Sequence, residues 1–173
     1  LFTRLYAGDM AIDIYSRAVS DVYQDLFGTG IFAGKGIYEV ASFERSLKDR
    51  IPVNSLVSHD LFEGLHGRVA LVSDIIIYES FPSRYLDYAR RGHRWIRGDW
   101  QLLPWLGRTV PGRDGRRLPN RLSFLDRWKI FDNLRRSLVP ISLVALALAG
   151  WFLLEGNPWI WTILTVVAPG AYL

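Results

Sequence analysis

The fold is decided by residues 58–101, which read SHDLFEGLHGRVALVSDIIIYESFPSRYLDYARRGHRWIRGDWQ. Ser58 is a residue type that caps helices, so a short helix is expected here with Asp60 in its first turn. Residues 69–78 are almost continuously apolar and rich in branched side chains, which predicts a strand buried on both faces of a helix-covered sheet. Ser83 predicts the start of a second helix.

The second predicted helix is rich in arginine. Its arginines are Arg84, Arg90, Arg91, Arg94 and Arg97. Arg91, Arg94 and Trp95 are spaced at i, i+3 and i+4, which places them on one helix face. A solvated basic face is the ordinary interpretation, but Trp95 and Trp100 argue against simple exposure. An indole beside guanidinium groups suits a sugar ring stacked near a pyrophosphate.

Asp60 is the candidate for acid–base chemistry. The free N–H groups and the dipole at a helix start stabilise its anion, although Asp60 could also be only a helix-start residue. Transfer of a sugar from a nucleotide must remove a proton from an alcohol and hold a departing diphosphate. A carboxylate near an arginine-rich helix has the residue types for both tasks.

A glycine-rich segment, residues 28–36, precedes this region. It is not a phosphate-binding Walker A loop, because Gly36 follows Lys35 where Ser or Thr should hold magnesium. Its glycines would let the backbone approach a ligand closely, with Lys35 available for a phosphate or a sugar hydroxyl; a plain hairpin-type loop fits equally well.

The neighbouring elements are predicted as a helix from about Ser16 to Phe27, a strand-like run over residues 37–40, and a helix capped by Ser42 and running to about Asp49. The acids Asp9, Asp13, Asp21 and Asp25 are interpreted as solvated rather than metal-binding, because no pair has obvious ligand spacing.

The C-terminal part has the profile of a membrane segment. Residues 108–136 hold nine Lys+Arg against three Asp+Glu, whereas residues 138–154 hold no charge. Those 17 residues are at the short end of the roughly 17–25 that cross a bilayer. A turn at 155–158 and a second apolar run from 159 to 173 follow, and the basic side is expected to be cytoplasmic. A buried core hairpin of a soluble protein is the alternative.

A Pro/Gly/Arg loop at residues 108–121 and an amphipathic helix connect the two parts. The expected apolar face is Leu122, Leu125, Trp128, Phe131 and Leu134, and the expected polar face is Arg127, Lys129, Arg135 and Arg136. This pattern indicates a helix at the membrane interface, and a partner-docking helix of a soluble protein has the same pattern. The predicted domains are 1–107, 108–137 and 138–173.

The composition agrees with one globular domain. The chain has 173 residues, 50% of them hydrophobic, with a net charge of +4 and no cysteine. These values allow a sizeable core and exclude disulfides and cysteine-bound zinc. Since the first residues are not an initiator Met or a signal peptide, we expect an internal piece of a longer protein.

Several runs together resemble the transferase domain of cyclic β-1,2-glucan synthases. These runs are VSDVYQDLFG, GKGIYEV, SHDLFEG, FPSRY, HRWIRGDWQLLPWL and LDRWKIFDNLRRSLVP. They also resemble the wider cellulose-synthase-like group of processive, inverting membrane glycosyltransferases. Residues 58–60 stand where that group has Thr-Glu-Asp, and residues 91–95 stand where it has Gln-x-x-Arg-Trp. His59 for Glu and Arg91 for Gln are departures that favour the narrower family.

The resemblance implies an α/β fold, the C-terminal part of a GT-A glycosyltransferase domain, followed by an interfacial helix and transmembrane helices. It implies Asp60 as the general base, Arg94 and Arg91 at the donor diphosphate, and Trp95 in the acceptor platform. His59 would tune or orient the base, or be structural, and Gly34 would lie where the acceptor approaches.

The implied partners are UDP-glucose, a growing β-1,2-glucan and the lipid bilayer, in a multi-pass bacterial inner-membrane protein with a cytoplasmic active site. A Mg²⁺ or Mn²⁺ ion is expected, with ligands before Leu1 and none in this chain. A non-catalytic membrane scaffold is the main rival. A nucleic-acid binder is excluded, because the charge excess lies beside the membrane segments.

Overall fold

The structure is a computed structural model that describes residues 22–32, 35–56, 60–72, 74–75, 77, 80 and 82–170. Contacts divide the chain into two compact units, residues 1–131 and 132–173. In chain order the elements are α1 Val22–Phe27, α2 Val40–Leu47, α3 Asp60–Gly67, α4 Tyr85–Gln101, a 3-10 helix Leu103–Leu106, β1 Thr109–Pro111, β2 Arg117–Pro119, α5 Phe124–Phe152 and α6 Pro158–Gly170. The described part is therefore a mixed structure of helices with a small sheet. The domain boundaries and the GT-A fold stay predictions.

The helix starts follow local capping chemistry. Asp60 lies in the first turn of α3, as predicted, and the predicted cap Ser58 lies outside the described residues. Ser123 caps α5 in a reciprocal pair with Asp126: the Ser123 hydroxyl accepts from the Asp126 N–H at 3.1 Å, and the Asp126 carboxylate accepts from the Ser123 N–H at 3.0 Å. Such a capping box satisfies backbone donors that the helix itself cannot satisfy.

Two predicted caps are wrong by one to three residues. At α2 the cap is Glu39 rather than Ser42, because the Glu39 carboxylate reaches the N–H groups of Ala41 and Ser42 at 3.0 and 2.6 Å. Hydrogen bonds to Ser42, followed by the one to Ala41, hold the pKa of Glu39 below its ordinary value. At α4 Arg84 occupies the cap position instead of Ser83, and the Arg84 side chain makes no capping hydrogen bond.

The predicted strands at 37–40 and 69–78 are not formed within the described residues. Val40 opens α2, and residues 69–72, 75 and 77 have no regular secondary structure. Val72, Ile75 and Ile77 are more than half exposed rather than buried on both faces. A strand needs a hydrogen-bonded neighbour. The two strands that the described residues contain pair only with each other.

That small sheet lies in the segment predicted as an irregular loop. β1 and β2 form an antiparallel hairpin in which Val110 faces Leu118. Gly115 has a φ of +74°, which a turn requires and which glycine adopts without strain. The chain therefore turns at Asp114-Gly115, and the irregular part of residues 108–121 is shorter than predicted.

The core of the first unit gathers apolar side chains from most of its elements. Its buried members are Leu56, Leu61, Phe62, Leu102, Trp105, Leu122 and Ile130. Phe62 is fully buried and meets Trp105 edge-on, with ring centroids 5.2 Å apart. Leu61 and Phe62 are the buried residues of α3, and Leu65 packs partly buried against the same core.

Within the described residues, α5 is the one helix long and apolar enough to cross a membrane. Its 29 residues span about 44 Å at 1.5 Å per residue. The predicted interfacial and spanning stretches are one continuous helix. The predicted polar face is wrong at Lys129, which was expected in solvent and is only 3% exposed. On the predicted apolar face Leu122 and Leu134 are buried, and Trp128 and Phe131 are about half exposed.

The second unit contains the predicted helical hairpin. Gly156 has a φ of +100° in the turn before α6. Where α5 and α6 approach each other, a Cβ atom on Gly150 of α5 would collide with the Trp161 side chain of α6, so glycine is required at this position. The Trp151 indole N–H donates to the Thr162 hydroxyl at 3.0 Å.

Candidate functional site

Asp60 is presented at the first turn of a well-anchored helix. α3 is held by Leu61 and Phe62 in the core and packs along α2. Asp60 itself is only partly buried, and no hydrogen bond or ion pair joins it to another side chain in the described part of the chain. An anion stabilised by a helix N-terminus and left accessible is suited to accept a proton from a bound alcohol.

The structure brings Arg91 and Trp95 together. The Arg91 guanidinium carbon lies 4.4 Å from the centroid of the Trp95 ring, within the range of a cation–π contact. This stacking limits the rotamers of Arg91 and covers one side of the indole. Arg94 is exposed on the same helix. The predicted neighbourhood of an indole and a guanidinium is confirmed for Arg91.

The structure does not bring Asp60 into a described cavity with the arginine helix. One cavity of about 310 Å³ is lined by Thr29, Gly64, Leu65, Arg68, Ser123, Leu125, Asp126 and Lys129. A second, of about 460 Å³, is lined by Tyr38, Val40, Phe43, Glu44, Leu47 and Lys48. Asp60, Arg94 and Trp95 line neither, so their juxtaposition stays a prediction. Lys35 is exposed, while His59 and Gly34 lie outside the described residues.

The glycine-rich segment approaches protein backbone closely. The Gly30 N–H donates to the Val69 carbonyl at 2.7 Å. A Cβ atom on Gly64 of α3 would lie only 2.9 Å from Cβ of Phe32. Gln24 adds a second link, since its side chain accepts from the Leu71 N–H at 2.6 Å. This segment is therefore docked on α3 and on the chain that follows it.

Sequence reasoning missed Lys129, whose ammonium lies at the centre of this arrangement. It donates to the Thr29 carbonyl at 3.2 Å, the Thr29 hydroxyl at 3.0 Å and the Gly30 carbonyl at 3.1 Å. It also lies 5.0 Å from the centroid of the Tyr23 ring. A signal was present: Leu125 and Lys129 are spaced at i and i+4, which places them on one face of α5.

His66 supplies a pH dependence beside the site. Burial is the main cause that lowers the pKa of His66; the charge of Arg50 adds to this, against the Phe62 hydrogen bond and the charge of Asp126. The unfolded chain therefore takes up the proton first. The contribution of His66 to the free energy of unfolding is fully present above about pH 6.5, the ordinary pKa of histidine, and is lost as the pH falls below that value.

We expect the amide protection of α3 in the full-length protein, corrected for intrinsic exchange rates, to fall between pH 7.5 and 5.5. His66→Phe, which retains an aromatic ring against Phe62 (centroids 4.3 Å apart), should remove that dependence. Hydrogen exchange read by mass spectrometry checks both. Equal pH dependence in the two proteins would contradict a role for His66.

No protein-family model matches the chain. A relative was found in Rhizobium meliloti (strain 1021), the cyclic beta-(1,2)-glucan synthase NdvB, which is 48% identical over 157 residues, or 91% of this chain. This chain is a homologue of one segment of that synthase. The resemblance to this family drawn from the motifs is confirmed. The matched segment is 5% of the relative's length, so the activity named for the relative belongs to a much longer protein.

Proposed function

We propose that the protein containing this chain is an inverting membrane glycosyltransferase that adds glucose from UDP-glucose to a growing β-1,2-glucan. The observation that carries the proposal is the 48% identity to a cyclic β-(1,2)-glucan synthase over nearly the whole chain. The helix Phe124–Phe152 supports a membrane setting. We place the active site on the cytoplasmic side of the bacterial inner membrane, in a multi-pass protein.

In the proposed reaction the acceptor hydroxyl attacks the anomeric carbon of glucose from the face opposite UDP. The new C–O bond forms as the bond to the diphosphate oxygen breaks, and the carboxylate of Asp60 takes the hydroxyl proton. UDP leaves with the bonding electron pair. Inversion at the anomeric carbon follows from this single displacement.

The other predicted residues bind and orient. Arg94 faces the departing diphosphate with Arg91 as helper, because a bidentate guanidinium matches phosphate oxygens. Trp95 forms part of the acceptor platform, and its contact with Arg91 supports a shared location for sugar and phosphate. Lys35 binds the donor, and His59 and Gly34 lie on the acceptor side.

A divalent cation, Mg²⁺ or Mn²⁺, would supply charge neutralisation for the diphosphate when bound. The described residues do not fit a complete site for it, since no three of their His, Asp or Glu side chains cluster as ligands. Its ligands are proposed in the chain before Leu1, and no step above depends on the cation.

The test is glucan synthesis by membrane vesicles that contain the full-length protein, supplied with UDP-[¹⁴C]glucose. We expect label in a polymer whose methylation analysis shows 2-linked glucose, with one UDP released per glucose added. Vesicles without the protein are the control. A polymer of another linkage would favour a different processive synthase, and no polymer despite normal membrane levels would favour a non-catalytic scaffold.

A further inference from the structure

Lys129 is a buried charge with an unusual set of partners. It is 3% exposed, and its ammonium meets three oxygen acceptors from Thr29 and Gly30 at 3.0–3.2 Å. Those acceptors match in number the three N–H donors of a lysine. Burying an ammonium is costly unless it is hydrogen-bonded in this way. The partners lie about 100 residues away in sequence, so the contact fixes tertiary rather than local structure.

Lys129 holds residues 28–32, the glycine loop, in place. The loop leaves α1 at Gly28, whose φ of +66° turns the chain. On one side Gly30 donates to Val69 and Phe32 packs on Gly64, both of which belong to α3 or the segment directly after it. On the other side Lys129 of α5 holds two of the loop's carbonyls.

We infer that Lys129 is a positioning residue, which sets the glycine loop against α3 and so constrains the chain that leads on to Lys35. Lys129 acts through the loop and does not touch substrate. The kinetic part of this inference rests on the proposed transferase function. The structural part, the order of the loop, does not.

The chemistry of the contact explains why an apolar residue would not serve. Methionine has a similar length but donates no hydrogen bond, so Lys129→Met leaves two backbone carbonyls and a hydroxyl without their donor in a buried place. Those groups can recover partners only by moving toward water. The loop would then loosen while the apolar core around Phe62 and Trp105 keeps its contacts.

The test uses the full-length protein in membranes. Hydrogen exchange by mass spectrometry follows peptides that cover the glycine loop and, as a core reference, residues 102–106. We expect Lys129→Met to accelerate loop exchange on the order of tenfold with the reference unchanged, since loss of a local constraint opens one region and not the whole domain. Thr29→Val, which removes one acceptor of the three, should give a smaller effect in the same direction.

The kinetic readout separates positioning from stability. Lys129→Met should raise the KM for UDP-glucose on the order of tenfold with a smaller change in kcat, because a misplaced loop weakens donor binding before it affects proton transfer. The control is Arg135→Met, which removes the same charge from an exposed position of α5. It should change neither readout.

Two outcomes would overturn the inference: loop exchange that stays at the wild-type rate, or equal acceleration in the loop and the 102–106 reference. The second would make Lys129 a stability residue only. If the wild-type protein makes no glucan but Lys129→Met still accelerates loop exchange, the proposed function is contradicted and the structural role of Lys129 is supported. If Lys129→Met does not fold, Thr29→Val carries the same comparison.

Discussion

Replacing Asp60 by Asn in the full-length protein lowers glucan formation from UDP-glucose by roughly two to four orders of magnitude, the usual loss when a general base is removed. Asparagine keeps the size of the side chain but cannot take the acceptor proton. The effect should fall on kcat, with the KM for UDP-glucose little changed. The measurement is initial-rate incorporation of labelled glucose in membranes with matched protein levels.

Asp87→Asn is the matched control, because Asp87 is also an acid in the first turn of a helix and is exposed. It repeats the loss of a helix-start charge without touching the proposed base. Similar activity in the Asp60 and Asp87 variants would mean that Asp60 is only a helix-start residue. The enzyme assignment would then need another base.

Replacing Phe62 by Ala destabilises the first unit by about 3–5 kcal/mol, the usual cost of removing a fully buried phenylalanine. The loss has two sources, the apolar surface removed from the core and the cavity left beside Trp105. In the full-length protein it should appear as more than about hundredfold faster exchange in residues 102–106, since every 1.4 kcal/mol is a factor of ten.

Phe124→Ala is the control for the core prediction, because Phe124 is 78% exposed and starts α5. It removes the same side chain from a place that contributes little to the core. If Phe62→Ala leaves the exchange of residues 102–106 unchanged, the core described around Phe62 and Trp105 is not the stabilising unit of this part of the chain.

Local signals in the sequence predicted much of the fold. Ser123 and Asp126 form a capping box within four residues, and Gly115 makes a turn by its own backbone freedom, so neither needs distant partners. Glu39 shows the limit, because its carboxylate reached the α2 backbone ahead of the better-known cap residue Ser42. For the candidate site, Asp60 was correctly placed at a helix start and Arg91 beside Trp95. Their positions relative to each other depend on packing between elements, which spacing along the chain does not report.

The sequence by itself determined the start of α5, the apolar C-terminal hairpin and the kinship with a glucan synthase, since each rests on residues close in sequence or on identity along it. Only the tertiary structure decided that residues 69–72, 75 and 77 do not form a strand, because pairing requires a neighbour with free hydrogen-bonding groups. It also decided that Lys129 is buried under the glycine loop. A charged side chain on a helix can face either water or protein. Lys129 faces protein because the fold places its acceptors, Thr29 and Gly30, beside it although they lie about 100 residues away in sequence.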